Sequence, residues 1–277
     1  MVLSEGRKTM IIYKTKNITV FQSGLFQLNS TVVSTEDMVL VVDPGYLPHE
    51  IDEIRLHVEN IKGKRPVYLF FTHSDYDHIA GFGAFPDAKT VASKQFVESP
   101  LQSKQMEDLI KYDDEFYISR PYTLEYPEIN YVIESDGQQL AIGETVLTFY
   151  HAFGHNNDGL LAVVDSLNLL IAGDYLSDIE FPFVYYSYHE YYKTLETLQR
   201  LIIENQDQVL ITSHGSVTEE TEEFQKRVDD SLEYLQLLEN EQDEEKFYEF
   251  LANKDYRFLT IFKQRHQDNL KVWREEE

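Results

Sequence analysis

A chain of 277 residues with 24 Lys and Arg against 49 Asp and Glu, a formal net charge of −25, opposes nucleic acid and anionic membranes, because both are bound through cations that neutralise phosphates. With no cysteine, the sequence excludes disulfides, thiolate zinc sites, iron–sulfur clusters and a Cys nucleophile, so any metal must be held by His and carboxylate. At 42% hydrophobic and 13% aromatic the chain can bury a sizeable core, and no apolar run reaches the roughly 18 residues of a membrane span or resembles a leader, so a cytoplasmic protein is expected.

In chain order, the β-branched runs Ile18–Phe21, Ser30–Val33 and Met38–Val42 read as strands, the last stopped by Asp43-Pro44-Gly45. Residues 48–62 place Ile51, Ile54, Leu56, Val58 and Ile61 among charges, which predicts an amphipathic helix, and Pro66–Phe71 a buried strand. The segment Thr72-His73-Ser74-Asp75-Tyr76-Asp77-His78 follows directly, and Ile79–Gly83 suggests a helix leaving it. Residues 95–135 are mixed, helix then loop. A hairpin over 137–150 leads to His155, and the strand pair Leu160–Val164 and Leu169–Ala172 leads to Gly173-Asp174. A helix near 189–205 then precedes Gln208–Thr212 and Ser213-His214-Gly215. Beyond 219 the pattern becomes acidic amphipathic helix, with a charged run at 239–245 and aromatics at Phe247, Tyr248, Phe250, Phe258, Phe262 and Trp273.

Four strand-like runs thus each end in His or Asp. Ligands at the ends of adjacent strands of one sheet would converge at one edge while the sheet fixes their spacing, as a preorganised metal site requires. His73, Asp75, Asp77 and His78 lie within six residues, and imidazole with carboxylate suits Zn²⁺, Mn²⁺ or Fe²⁺.

The segment resembles the His-x-His-x-Asp-His motif of the metallo-β-lactamase superfamily. Val42-Asp43-Pro44-Gly45, Gly154-His155, Gly173-Asp174 and Ser213-His214-Gly215 resemble the family's further motifs in order and spacing over roughly 15–220. The resemblance implies an α/β fold, a four-layer αββα sandwich over residues 1–218, with 219–277 a helical extension packed on it. It also implies two divalent metal ions, zinc by family. One is held by His73, the residue at 75, His155 and Asp174, the other by Asp77, His78, His214 and Asp174, with Asp174 bridging. This chain departs at position 75, where Asp stands in place of the usual histidine; the added carboxylate lowers the Lewis acidity of the first metal and favours iron or manganese over zinc.

Such a pair would activate water, so the expected function is a metal-dependent hydrolase of a small ester, thioester, lactone or phosphoester. Asp77 is the candidate for orienting that water, and Ser74 shapes the loop. Net acidity argues against a nuclease, and the lack of a leader against a β-lactamase. A non-heme diiron oxidoreductase or oxygen/NO-binding protein is the alternative that Asp75 suggests. His189 and Tyr185, in the aromatic segment 181–192, are candidate substrate contacts; His151 reads as structural, and His49, His57 and His266 as solvated. The small-molecule substrate is the expected partner. The C-terminal helices either cover the site mouth or form a homodimer surface, and the sequence leaves both open.

Overall fold

The structure, a computed structural model, describes residues 10–205, 208–239, 244–254, 256–257 and 259–276. Most of the charged run at 239–245, and Phe258, lie outside the described residues. Seven strands form one sheet in chain order: β1 (Ile11–Lys14), β2 (Ile18–Gln22), β3 (Asn29–Ser34), β4 (Val39–Val42), β5 (Val67–Phe70), β6 (Lys89–Ser93) and β7 (Tyr131–Ile133). The first four pair antiparallel and β4 through β7 parallel. The second sheet holds β8 (Gln138–Ile142), β9 (Thr145–His151), β10 (Leu160–Val164), β11 (Leu169–Ile171) and β12 (Val209–Ile211), in the order β12-β11-β10-β9-β8.

Strand periodicity builds the layers. In β4, Leu40 and Val42 face a core shared with the second sheet, whereas Val39 and Val41 pack with Ile51, Ile54 and Val58 of α1 (Pro48–Lys62). In β10, Leu160, Ala162 and Val164 enter the shared core, and Leu161 and Val163 turn outward to Leu195 and Leu198. Both strands are buried on both faces, which is why they read as unbroken apolar runs. Helices outside two face-to-face sheets make the four-layer α/β sandwich.

Short helices α2 (Tyr76–Ile79), α3 (Lys94–Glu98) and α4 (Gln102–Glu115) border the end of the sandwich where β5 stops. The outer helix of the second sheet is α5 (Tyr188–Glu204), whose N-cap Ser187 accepts from Glu190 N–H at 3.1 Å. Helices α6 (Thr221–Glu239), α7 (Glu244–Asn253) and α8 (Leu259–Glu276) follow; Phe224, Val228, Leu235, Phe247, Phe262 and Trp273 share one apolar cluster with α5. Each such side chain contributes roughly 1.5–3 kcal/mol by leaving water. Among the described residues no helix is long and apolar enough to cross a membrane.

Three expectations are corrected. The helix expected to leave the site at Ile79 instead starts inside the motif at Tyr76 and stops at Ile79. The ligand-bearing strands do not share one sheet: β5 belongs to the first, and β9, β11 and β12 to the second. His266 is not solvated but 5% exposed, stacked on Phe247 at 3.8 Å between ring centroids and 3.1 Å from the Tyr234 hydroxyl.

Candidate metal centre

Every residue of the proposed cluster sits just beyond a strand, where the chain is free to turn but its start is fixed. β5 delivers Thr72 to His78, β9 leads to His155, β11 to Asp174 and β12 to His214. The loop of His214 is tied to the opposite sheet: Asn29 donates from Nδ2 to the carbonyls of Thr212 and Gly215, at 2.9 Å each. Before His155 the chain needs Gly154, whose φ of 121° is open to glycine; a Cβ there would collide with the backbone of Tyr191 on α5. The Asn29 contacts tie the two sheets together at this edge.

All seven predicted side chains meet there. Asp174 stands at the centre. Its Oδ2 lies 3.7 Å from His73 Nε2 and 3.3 Å from His155 Nε2, while Asp75 Oδ2 is 3.6 and 3.4 Å from the same two nitrogens. Its Oδ1 lies 3.3 Å from His78 Nε2 and 3.5 Å from His214 Nε2, with Asp77 Oδ2 at 3.8 and 3.7 Å from that pair. Ligands about 2.1 Å from a tetrahedral ion lie roughly 3.4 Å from one another, so the spacing on each side of Asp174 fits one ion.

The outer nitrogens explain why the inner ones are free. His73 Nδ1 is 3.1 Å from Thr72 Oγ1, His78 Nδ1 is 2.9 Å from Asp43 Oδ2, His155 Nδ1 is 2.7 Å from the Phe183 carbonyl, and His214 Nδ1 is 3.0 Å from that of Phe26. A proton held on Nδ1 leaves the Nε2 lone pair for a metal. Accordingly, the buried Nε2 atoms of His73, His78 and His155, and Asp174 Oδ1, have no hydrogen-bond partner. Buried polar atoms without partners are costly unless something completes them, and here four converge. The donor set fits divalent metal ions.

Electrostatics agree. Burial alone would lower the pKa of His155, but Asp174 and Asp75 outweigh it and raise it to about 10; Asp174 itself, despite burial, is held well below the carboxylate range by His78, His214 and His73. The carboxylates thus stabilise positive charge among the imidazoles, which a cation supplies. Asp75 is further oriented: its Oδ1 accepts from Gln105 Nε2 at 3.0 Å and Asn156 Nδ2 at 2.8 Å, leaving Oδ2 for the cluster.

Two carboxylates of the site are not among the metal ligands that the sequence predicts. Asp43, fully buried with φ 46°, accepts from Thr72 N–H (2.9 Å), Thr72 Oγ1 (2.7 Å) and Ser213 Oγ (3.0 Å) besides holding His78. Glu180 comes within 4.8 Å of Asp174 and His214, and burial lifts its carboxyl to about 7. No motif spacing marks Glu180, because it arrives on a loop past β11.

The cluster forms the floor of a cavity of about 310 Å³, near the lower end of small-molecule sites. Tyr185 lines it, its ring 5.0 Å from that of His155. His189 does not: it is exposed in the first turn of α5, beside Tyr188, because the chain turns away from the cavity after Tyr185. His151 also lies apart, its Nδ1 3.1 Å from Asp136. Ile261, Phe262 and Arg265 of α8 complete the wall.

The sequence pattern that defines the metallo-beta-lactamase superfamily matches residues 23–234, well over half of the chain. No curated protein matches. Among solved structures, the stereoselective inverting sec-alkylsulfatase Pisa1 from Pseudomonas sp. is similar over 84% of this chain at 13% identity and a TM-score of 0.64; the match spans 42% of the sulfatase. An archaeal metallo-beta-lactamase superfamily protein from Sulfolobus tokodaii aligns over 78% of this chain and 86% of its own, at 19% identity and a TM-score of 0.55. A metallo-beta-lactamase from Pontibacter korlensis aligns over 80% and 98%, at 15% and 0.55. At these identities the likeness is one of fold.

Proposed function

This chain belongs to the metallo-beta-lactamase superfamily, and from that premise we propose that it is a metal-dependent hydrolase of a small ester, thioester, lactone or phosphoester. The observation that carries the reading is the division of Asp174, one oxygen toward His73, His155 and Asp75 and the other toward His78, His214 and Asp77. A carboxylate so shared suits two ions, and bound divalent ions would supply a water acidified toward neutral pH and a Lewis acid for the oxygen of the attacked group. Zinc is the family's ordinary choice; Asp75 in place of histidine favours manganese or iron.

The chain's own residues do the rest. Asp77 Oδ2, between His78 and His214, orients the attacking water, and Glu180 places a further carboxylate on the same wall, beside Asp174 and His214. Phe183 and Tyr185 exclude solvent from one side of the floor. In the net reaction, water adds to the acyl carbon or phosphorus, the bond to the leaving oxygen or sulfur breaks, and the departing group takes one proton while the other is released.

The test is a panel of carboxylic esters, thioesters, lactones, phosphodiesters and an alkyl sulfate, with Asp174→Ala and His214→Ala as controls. Turnover in the wild type that is lost in both variants, each folded by circular dichroism, is expected. The three carboxylates and four imidazoles also suit a non-heme diiron oxidoreductase; bound iron with a visible absorption band and no hydrolysis would favour that second reading and overturn the first.

A further inference from the structure

We propose that the cavity takes a substrate anionic at one end and apolar along the rest, and that Arg265 determines this specificity by pairing with the anionic group; the proposal rests on the hydrolase reading of the same site. The ionisable acid and imidazole groups on the wall besides Arg265 are the carboxylates Asp75, Asp77, Asp174 and Glu180 and the imidazoles His155 and His214. Phe26 and Tyr112 on one side and Ile261 and Phe262 on the other make much of the remaining surface apolar. In a chain of net charge −25, a cation facing such a cavity needs a reason.

The placement of Arg265 is built. Its guanidinium carbon lies 5.3 Å from the Tyr185 ring centroid and 5.9 Å from that of Phe183. A guanidinium held against aromatic rings keeps N–H donors for a planar anion. Its ion pair among the described residues, to Asp268 at 3.7 Å, joins side chains 40% and 29% exposed, and a surface pair of that sort contributes little and is readily exchanged.

One turn along α8, the fully buried Asn269 fixes the facing loop. Its Oδ1 accepts from Val184 N–H at 2.8 Å, and its Nδ2 donates to the Pro182 carbonyl at 2.7 Å. That same loop holds His155 through the Phe183 carbonyl. Tyr185 touches both groups, its ring centroid 5.3 Å from the Arg265 guanidinium carbon and 5.0 Å from the His155 ring, so the cation stands no more than about 10 Å from the metal cluster. Because Arg265 and the cluster are separate parts of the cavity wall, the anionic group and the scissile bond are separate parts of the proposed substrate, joined by a short apolar spacer.

The experiment compares two esters of matched chain length on the metal-loaded full chain, 4-nitrophenyl butyrate and mono-4-nitrophenyl glutarate, which adds a terminal carboxylate. The wild type is expected to show a KM at least tenfold lower for the glutarate ester. Arg265→Gln should erase that preference by raising this KM about tenfold, far more than it changes the KM of the butyrate ester, and Arg265→Lys should restore part of it. No preference in the wild type, or an equal loss on both esters in Arg265→Gln, overturns the proposal. If neither ester is turned over, the hydrolase reading is decided by the wider substrate panel, and calorimetric binding of 1-hexanesulfonate decides the role of Arg265. A roughly tenfold weaker affinity in Arg265→Gln, with an unchanged melting temperature, supports it; equal affinity overturns it.

Discussion

Replacing Asp43 by Asn keeps the shape of a buried side chain but removes its negative charge and its capacity to accept on both oxygens. Oδ1 faces the Thr72 backbone N–H, and Oδ2 faces Thr72 Oγ1, His78 Nδ1 and Ser213 Oγ. If the new amide nitrogen takes the Oδ1 place, two N–H groups confront each other in a site with no solvent, which costs about 1–3 kcal/mol. For a chain of this size that lowers the melting temperature by about 2 °C or more. If it takes the Oδ2 place, it donates toward His78 Nδ1, and the imidazole proton must move to Nε2, the atom aimed at the metal. Losing a group that orients a metal-bound histidine costs about 10–100-fold in affinity. Chelator competition for zinc or manganese, paired with thermal melting of the chelated protein, reads both branches. Ser213→Ala, which removes one donor and leaves the His78 tautomer alone, should show a smaller loss of affinity. Wild-type affinity together with wild-type melting in Asp43→Asn would show that Asp43 fixes neither the Thr72 backbone nor the His78 tautomer.

Asp75→His exchanges a hard ligand for a borderline one, so zinc should gain over manganese when both are offered at equal concentration, as elemental analysis would show; an unchanged ratio contradicts the role given to Asp75. His266 is held neutral because burial lowers its pKa from 6.5 to about 4. Between those values the unfolded chain binds the proton and the folded one does not, so stability is complete above about pH 6.5 and falls as the pH drops toward 4. The loss, about 3 kcal/mol at most from the pKa difference, should shrink in His266→Phe when denaturant midpoints are compared at pH 7 and pH 4.5; an equal acid loss in both proteins contradicts it.

Much of the site was legible because its ligands follow strands, and strands of Val, Leu and Ile closed by Gly or Pro announce themselves locally. What was not legible depends on partners distant in the chain. Nothing near Ile171 says that β11 pairs with β12 while β5 lies in the other sheet, so the convergence was ascribed to one sheet. Asp43 acts through contacts to residues 29, 35 and 170 positions away, and Glu180 and Arg265 reach the cavity from a loop and a distant helix. His266 was misread from its polar neighbours. Phe262, His266, Asn269, Leu270 and Trp273 recur at helical spacing, and that face is buried. His189 shows the reverse error, since proximity to an aromatic run does not say which way the chain turns.

Whether two ions share Asp174 can be read by native mass spectrometry of the protein reloaded with zinc or manganese. Two ions per chain are expected in the wild type and at most one, bound more weakly, in Asp174→Ala. A wild type that takes none or only one, or an Asp174→Ala protein that still holds two, would contradict it.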